Sequence, residues 1–138
     1  MTYLASPYSH RSPAVREARF RAACRAAADL MRRGTVVFCP IAQSHPIAAV
    51  MTRQGLFEPA LDPELWKRQD APYLGFCDRM IVLCLPGWHL SRGVLGEIEA
   101  MRAAGKHVEF MRLVQGVMRP HPRARRMKPG RKTVASSR

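Results

Sequence analysis

The chain has 138 residues, the size of one domain with a single hydrophobic core. Its 23 Lys and Arg against 10 Asp and Glu give a net charge of +13 at pH 7, so acidic partners fit better than basic ones. It has no signal peptide and no apolar run long enough to cross a bilayer, which sets aside a membrane protein and predicts a cytoplasmic one.

In chain order, TYLAS predicts a strand that ends in the loop PYSHRSP. From Pro13 to Arg33 the residues are rich in Ala and Arg and predict a helix. Phe20, Cys24, Ala27 and Met31 share one face of it, and Gly34 stops it. TVVFCPI reads as a β-branched strand closed by Pro40. QSHPIAAVMTRQGLFEPALDPE reads as irregular, with no more than one helical turn. A second helix is expected after Asp62-Pro63, through Trp66 to about Gly75, kinked or broken at Pro72. RMIVLCLP is a continuous apolar run suited to a strand buried on both faces. GWHL is the loop after it, SRGVLGEIEAMRAAGK a third helix, and HVEFMRLV a last strand.

Strands alternating with helices predict an α/β fold. Right-handed crossovers make it an open, doubly wound, flavodoxin- or Rossmann-like parallel sheet of about four to five strands. Ligands of such sheets bind outside the carboxyl ends of the strands. The loops expected there, SPYSHR, IAQSHP and PGWHLS, are rich in His and Ser.

The domain is placed at residues 1–118 and a basic tail at 119–138. The tail holds eight of the Lys and Arg, no acid and three prolines, which leaves +5 for the rest. A segment with so few apolar side chains cannot offset its ordering entropy, so it is expected to be disordered. Its charge suits non-specific contact with nucleic acid, or a solubilising end without a fixed partner.

Cys24, Cys39, Cys77 and Cys84 have no CxxC or His-paired spacing and read as buried cytosolic thiols. The scattered loop histidines do not suggest a metal site. Without a GxGxxG or Walker loop, no dinucleotide or triphosphate cofactor is expected.

Two carboxylates merit chemistry. On the third helix Val94, Leu95, Ile98 and Met101 form the apolar face, and Glu97 sits at its edge. Glu99 lies on the far side, three residues from Arg102, as an ordinary solvated carboxylate. Glu97 leans toward the helix start, where Gly93 leaves room and Ser91 caps free amides able to hold an anion. The plain alternative is that Ser91 only caps, Gly93 is incidental and Glu97 is a boundary residue. Asp70, on the second helix, becomes a candidate acid when paired with Glu97, because displacement at a sugar carbon uses two carboxylates. Asp78, at the start of the central strand, reads as a turn or cap residue.

TYLASPY, then D-x7-D leading into RMIVLCLPG, then S-x-G-x3-E followed by A-x4-GK, resemble the nucleoside 2-deoxyribosyltransferase superfamily over about residues 2 to 111. The likeness is greatest to a phage and bacterial branch that carries the SHPIA segment, Ser44 to Ala48 here. The resemblance implies that Glu97 is the nucleophile at the anomeric carbon, Asp70 the acid that protonates the departing base, and Tyr3 the group that orients the glutamate. It also implies a nucleoside or nucleotide substrate, a homo-oligomer and the doubly wound sheet.

Ser91 stands where transferases of free nucleosides carry Asp, and resembles the branch that hydrolyses deoxynucleoside 5′-monophosphates. The chain contains no Asn, the residue those transferases lend from a neighbouring subunit, so hydrolysis is favoured over base exchange. The Gly-rich phosphate loop of the hydrolases is replaced by SPYSHRSP, in which Ser6, His10 and Arg11 would supply donors. His45, in the loop after the second strand, would line the pocket, and Trp88 and Tyr8 are candidates to stack on a base. Expected substrate contacts are therefore Ser91, Gly93, Ser6, His10, Arg11, His45 and Trp88. Two other classes stay open: a nucleotide-binding module without turnover, and a nucleic-acid-associated protein acting through its tail.

Overall fold

The computed structural model of the protein describes residues 1–55 and 62–122. In chain order these form β1 (Thr2–Ala5), α1 (Pro13–Arg32), β2 (Val37–Phe38), α2 (Pro40–Arg53), α3 (Pro63–Phe76), β3 (Arg79–Leu83), α4 (Arg92–Ala103), β4 (His107–Val114) and β5 (Val117–Pro120). The strands make one sheet in the order β2-β1-β3-β4-β5. Its first four strands are parallel and β5 is antiparallel. This is the open, doubly wound, flavodoxin-like arrangement expected from the alternation of elements.

Side chains of the two central strands alternate between two cores. Tyr3, Ala5, Met80 and Val82 face α3 and α4, where Leu74, Val94, Ile98 and Met101 cover them. Leu4, Ile81 and Leu83 face α1 and α2, under Ala23, Ala26, Ala27, Leu30 and Ile41. Each fully buried aliphatic side chain is worth about 1.5–3 kcal/mol, more than an exposed ion pair contributes. The two apolar layers therefore hold the sheet between its helices.

Several elements differ from expectation. The buried face of α1 is Ala23, Ala26, Ala27 and Leu30, while Met31 is 54% exposed. Phe20 turns aside to stack on His45 of α2, with ring centroids 4.2 Å apart, and the alanines let the helix lie close to the sheet. Of the segment read as irregular, Gln43 to Arg53 belong to a helix that begins at Pro40, and 56–61 lie outside the described residues. Pro40 starts that helix, where its missing N–H costs nothing, and Pro46 sits on the exposed side. Likewise Pro72 does not end α3, because it too lies on the exposed side. The second strand is shorter than TVVFCPI, since Cys39 already precedes the first turn of α2.

The strand β5 was not anticipated, and it moves the start of the tail: Arg119 and Pro120 belong to the sheet. Gln115 and Gly116 both have positive φ, 49° and 76°, the two-residue turn whose twist suits a hairpin. Asp29 of α1 fastens this strand. Its buried carboxylate accepts from the Met118 backbone N–H at 3.0 Å and from Arg32 and Arg33. The remainder of the expected disordered tail, 123–138, lies outside the described residues.

Candidate active site

β1 connects to β2 on one side and β3 lies on its other side, so strand order reverses between β1 and β3. The crevice outside their carboxyl ends is where such a sheet binds ligands. The loops flanking it are residues 6–12 and 84–91.

Tyr3 is fully buried in the middle of β1, on the face that α4 covers. Its hydroxyl donates to Oε1 of Glu97 at 2.7 Å. α4 aims Glu97 there because Val94, Ile98 and Met101 are buried against the sheet, and position 97 lies beside that stripe. The same stripe leaves Leu95, expected on the apolar face, exposed. The Ser91 hydroxyl caps the helix, accepting from the Val94 N–H at 3.4 Å. A Cβ built on Gly93 would meet only Ser91 Oγ, at 3.9 Å, so the space over this turn is open.

Asp70 approaches this pair from α3, near enough for its charge to act on both. An aromatic column fixes that helix: Tyr3 lies against Phe38, with centroids 5.9 Å apart, and Phe38 stacks on Tyr73 at 4.0 Å and 10°. Trp66, Gln69, Asp70 and Tyr73 recur at helical spacing and face α2. With Gln43, Ser44, Ile47, Met51 and Leu65 they line a cavity of about 170 Å³ between the two helices. Asp70 belongs to its wall; Glu97 and Tyr3 lie outside the lining.

Burial pushes Glu97 up to about 7, helped by the charge of Asp70 and opposed by the Tyr3 hydrogen bond. Burial likewise pushes Asp70 up to about 6. Tyr3 is raised far above its ordinary value, first by burial and then by the charge of Glu97, so it remains a neutral donor. These are two half-buried carboxylates that feel one another, and one has a fixed donor that the other lacks. Between these two values one proton remains on the pair. Taken one by one, the two values leave that proton more often on Glu97. The Tyr3 hydrogen bond is the contact that favours the reverse, with Glu97 ionised and Asp70 protonated.

Tyr3, Glu97 and Asp70 thus come together as a group. Ser91 and Gly93 stand one to two turns before Glu97, at the mouth of the crevice. Ser6 follows β1, 7% exposed, with a hydroxyl that has no hydrogen-bond partner among the described residues.

The other expected contacts are used differently. His10 and Arg11 are exposed and serve the start of α1: His10 Nδ1 accepts from the Ser12 N–H, and Arg16 donates to both of their carbonyls. His45 lies in α2 rather than in a loop, with both ring nitrogens engaged, by the Tyr8 hydroxyl at 2.6 Å and Glu17 Oε2 at 2.7 Å. Trp88 is 9% exposed; it packs against Phe110, with ring centroids 5.3 Å apart, and lines a cleft with His89 and His121. The cavity residues Gln43, Trp66, Gln69 and Tyr73 were missed; the Trp66-Gln69-Asp70-Tyr73 spacing was the available signal. Among the described residues no three His, Cys, Asp or Glu side chains are grouped to hold a metal ion, and no helix is long and apolar enough to cross a membrane.

A family model described as a domain of unknown function, DUF1937, matches residues 1–113. The chain belongs to that family. No curated protein matches it.

Proposed function

We propose that this DUF1937 protein is an N-glycosidase that cleaves the base–sugar bond of a nucleoside or nucleoside 5′-monophosphate. One observation carries the reading: Tyr3 donates to Glu97 at 2.7 Å while Asp70 lies near enough for its charge to raise both of them. A buried tyrosine aimed at a half-buried carboxylate, with a second carboxylate on a cavity wall, suits displacement at an anomeric carbon. The likeness of these three residues to the nucleoside 2-deoxyribosyltransferase superfamily agrees with it.

In the first step the ionised Glu97 attacks C1′ as the bond to the base breaks, and the protonated Asp70 gives its proton to the departing nitrogen. The Tyr3 O–H holds Glu97 in place and limits its basicity toward protons. The product is a glycosyl ester on Glu97 and a free base. In the second step water adds to C1′, its proton passes to Asp70, and the ester bond breaks to release the sugar and restore both carboxyls. The α2–α3 cavity, with Trp66 and Tyr73 for packing and Gln43 and Gln69 for polar edges, suits a flat heterocycle beside Asp70. With no Asn to serve an acceptor base, water is the acceptor.

The test is liberation of free base from a panel of nucleosides and their 5′-monophosphates, followed by chromatography. Glu97→Gln is expected to lower release by at least about a thousandfold, the scale of losing a nucleophile, with the circular dichroism spectrum unchanged. Undiminished release by that variant would refute the assignment.

A further inference from the structure

One side chain ties together the two loops that flank the crevice. Arg19, in the second turn of α1, donates from Nη1 to the Ser9 carbonyl at 2.9 Å and from Nη2 to the Pro86 carbonyl at 3.4 Å. Gly87 follows Pro86 with φ +84°, and a Cβ there would stand 3.4 Å from Arg19 Nη2. Glycine thus supplies the left-handed turn and keeps the space beside the guanidinium clear.

Arg19 is half-buried, yet among the described residues no carboxylate lies within ion-pair distance of it. Asp29, by contrast, draws two arginines to itself. A guanidinium carries five N–H donors in a rigid fork, so two carbonyls leave donors over and the charge uncompensated. Partial burial lowers its pKa, and an anion reaching the free donors would be held by charge-assisted hydrogen bonds. Two features of the same loops suit that anion. Ser6 brings its buried hydroxyl, without a partner among the described residues, at one end, and Ser91 opens the twelve-residue α4 at the other.

We propose that Arg19 is the specificity-determining cation of this crevice and that the group it recognises is the phosphate monoester of a nucleoside 5′-monophosphate. The phosphate follows from the fork, the missing carboxylate and the crevice; the nucleoside attached to it rests on the function proposed above. Arg19 takes the role that the loop sequence had offered to His10 and Arg11: those two are exposed before the first turn of α1, where His10 Nδ1 accepts from the Ser12 N–H, whereas Arg19 spans both loops.

The experiment is calorimetric binding of the four deoxynucleoside 5′-monophosphates and the matching deoxynucleosides to the full chain, to Arg19→Gln and to Arg19→Lys. The unaltered chain should prefer the phosphorylated member of at least one pair. Arg19→Gln should cut that preference by about tenfold or more, the scale of a charge-assisted hydrogen bond. Arg19→Lys should restore part of it, since it keeps the charge and loses the fork. An unaltered chain without the preference, or an Arg19→Gln chain that keeps it in full, overturns the assignment. Equal weakening of both ligands, as loss of a simple loop clamp would give, overturns it too. Base release plays no part in the readout. A chain that binds monophosphates through Arg19 and never cleaves them rejects the glycosidase and leaves the phosphate site standing.

Discussion

Glu97 and Asp70 need opposite protonation states for the proposed chemistry, and the contact that favours an ionised Glu97 is the Tyr3 hydroxyl. Turnover requires a single proton on the pair. Below about 6 the second carboxyl becomes protonated and Glu97 can no longer attack. Above about 7 the last proton leaves and no acid remains for the base. We therefore expect a bell-shaped kcat/KM profile with its maximum between these values. Tyr3→Phe removes the contact that lowers Glu97, so the profile should move to higher pH. The rate at the maximum should fall about 10- to 100-fold, as for a lost hydrogen bond to a charged group. Rate measurements on both proteins between about pH 5 and 8 decide it, and a flat profile in the unaltered chain would remove the dyad. At this scale much was legible beforehand. Glu97 stands at the edge of an apolar stripe and Glu99 does not, and periodicity alone separates them. The roles of Tyr3 and Asp70 came from resemblance, because nothing in a strand residue or a lone helix aspartate announces its partner. Arg19 was invisible: its partners are backbone carbonyls 10 and 67 positions away, and backbone carbonyls leave no mark in a sequence.

At the level of elements, the two prolines misled the sequence reading in one way. Pro46 and Pro72 each break the interior hydrogen-bond pattern of a helix, and each helix continues because the break faces outward. Burial of Ser44 and Ala48 on α2, and the Tyr73–Phe38 stack on α3, outweigh the local cost. What sets α2 against α1 is largely His45. Its ring stacks on Phe20 at 4.2 Å, and its two nitrogens reach Tyr8 of the loop after β1 and Glu17 of α1. This joins the cavity wall to the crevice loop. Two part-buried hydrogen bonds and a ring contact come to about 2–3 kcal/mol. His45→Ala should lower the melting temperature by roughly 6–12 °C for a domain of this size. His45→Phe, which keeps the stack and loses the hydrogen bonds, should fall between the two. Thermal unfolding of the three proteins orders them, and an unchanged midpoint for His45→Ala would make the lock ornamental. A lone His before Pro could not have revealed this, since its three partners lie 25 to 37 positions earlier.

For the whole molecule, the family match ends at residue 113 while the fold does not. β5 pairs with β4 from Val114↔Val117 to Met111↔Pro120 and places Met118, 1% exposed, in the core under α1. It also supplies the N–H that does most to hold the Asp29 carboxyl down at about 2. That aspartate's folded pKa lies below its ordinary 3.8, so its contribution is present above that value and is lost as pH falls toward 2. A chain ended after Leu113 would expose the β4 edge, uncover the α1 layer and leave Asp29 with arginines alone. We expect it to lose at least about 2–5 kcal/mol, the cost of removing one large core side chain, before the lost strand pairing is counted. A chain ended after Pro122 keeps every one of these contacts and should match the full chain at pH 7 in urea unfolding. Equal midpoints for both truncations would mean that β5 is an accessory to the fold. The hairpin was hidden because Gln-Gly is a weaker turn signal than Asn-Gly, and because Arg119 and Pro120 resemble the basic, proline-rich residues that follow them. A sheet that covers β4 with its own last strand, and leaves both loops of its reversal point joined by an arginine that pairs with no carboxylate among the described residues, has its stability on one side and its open chemistry on the other.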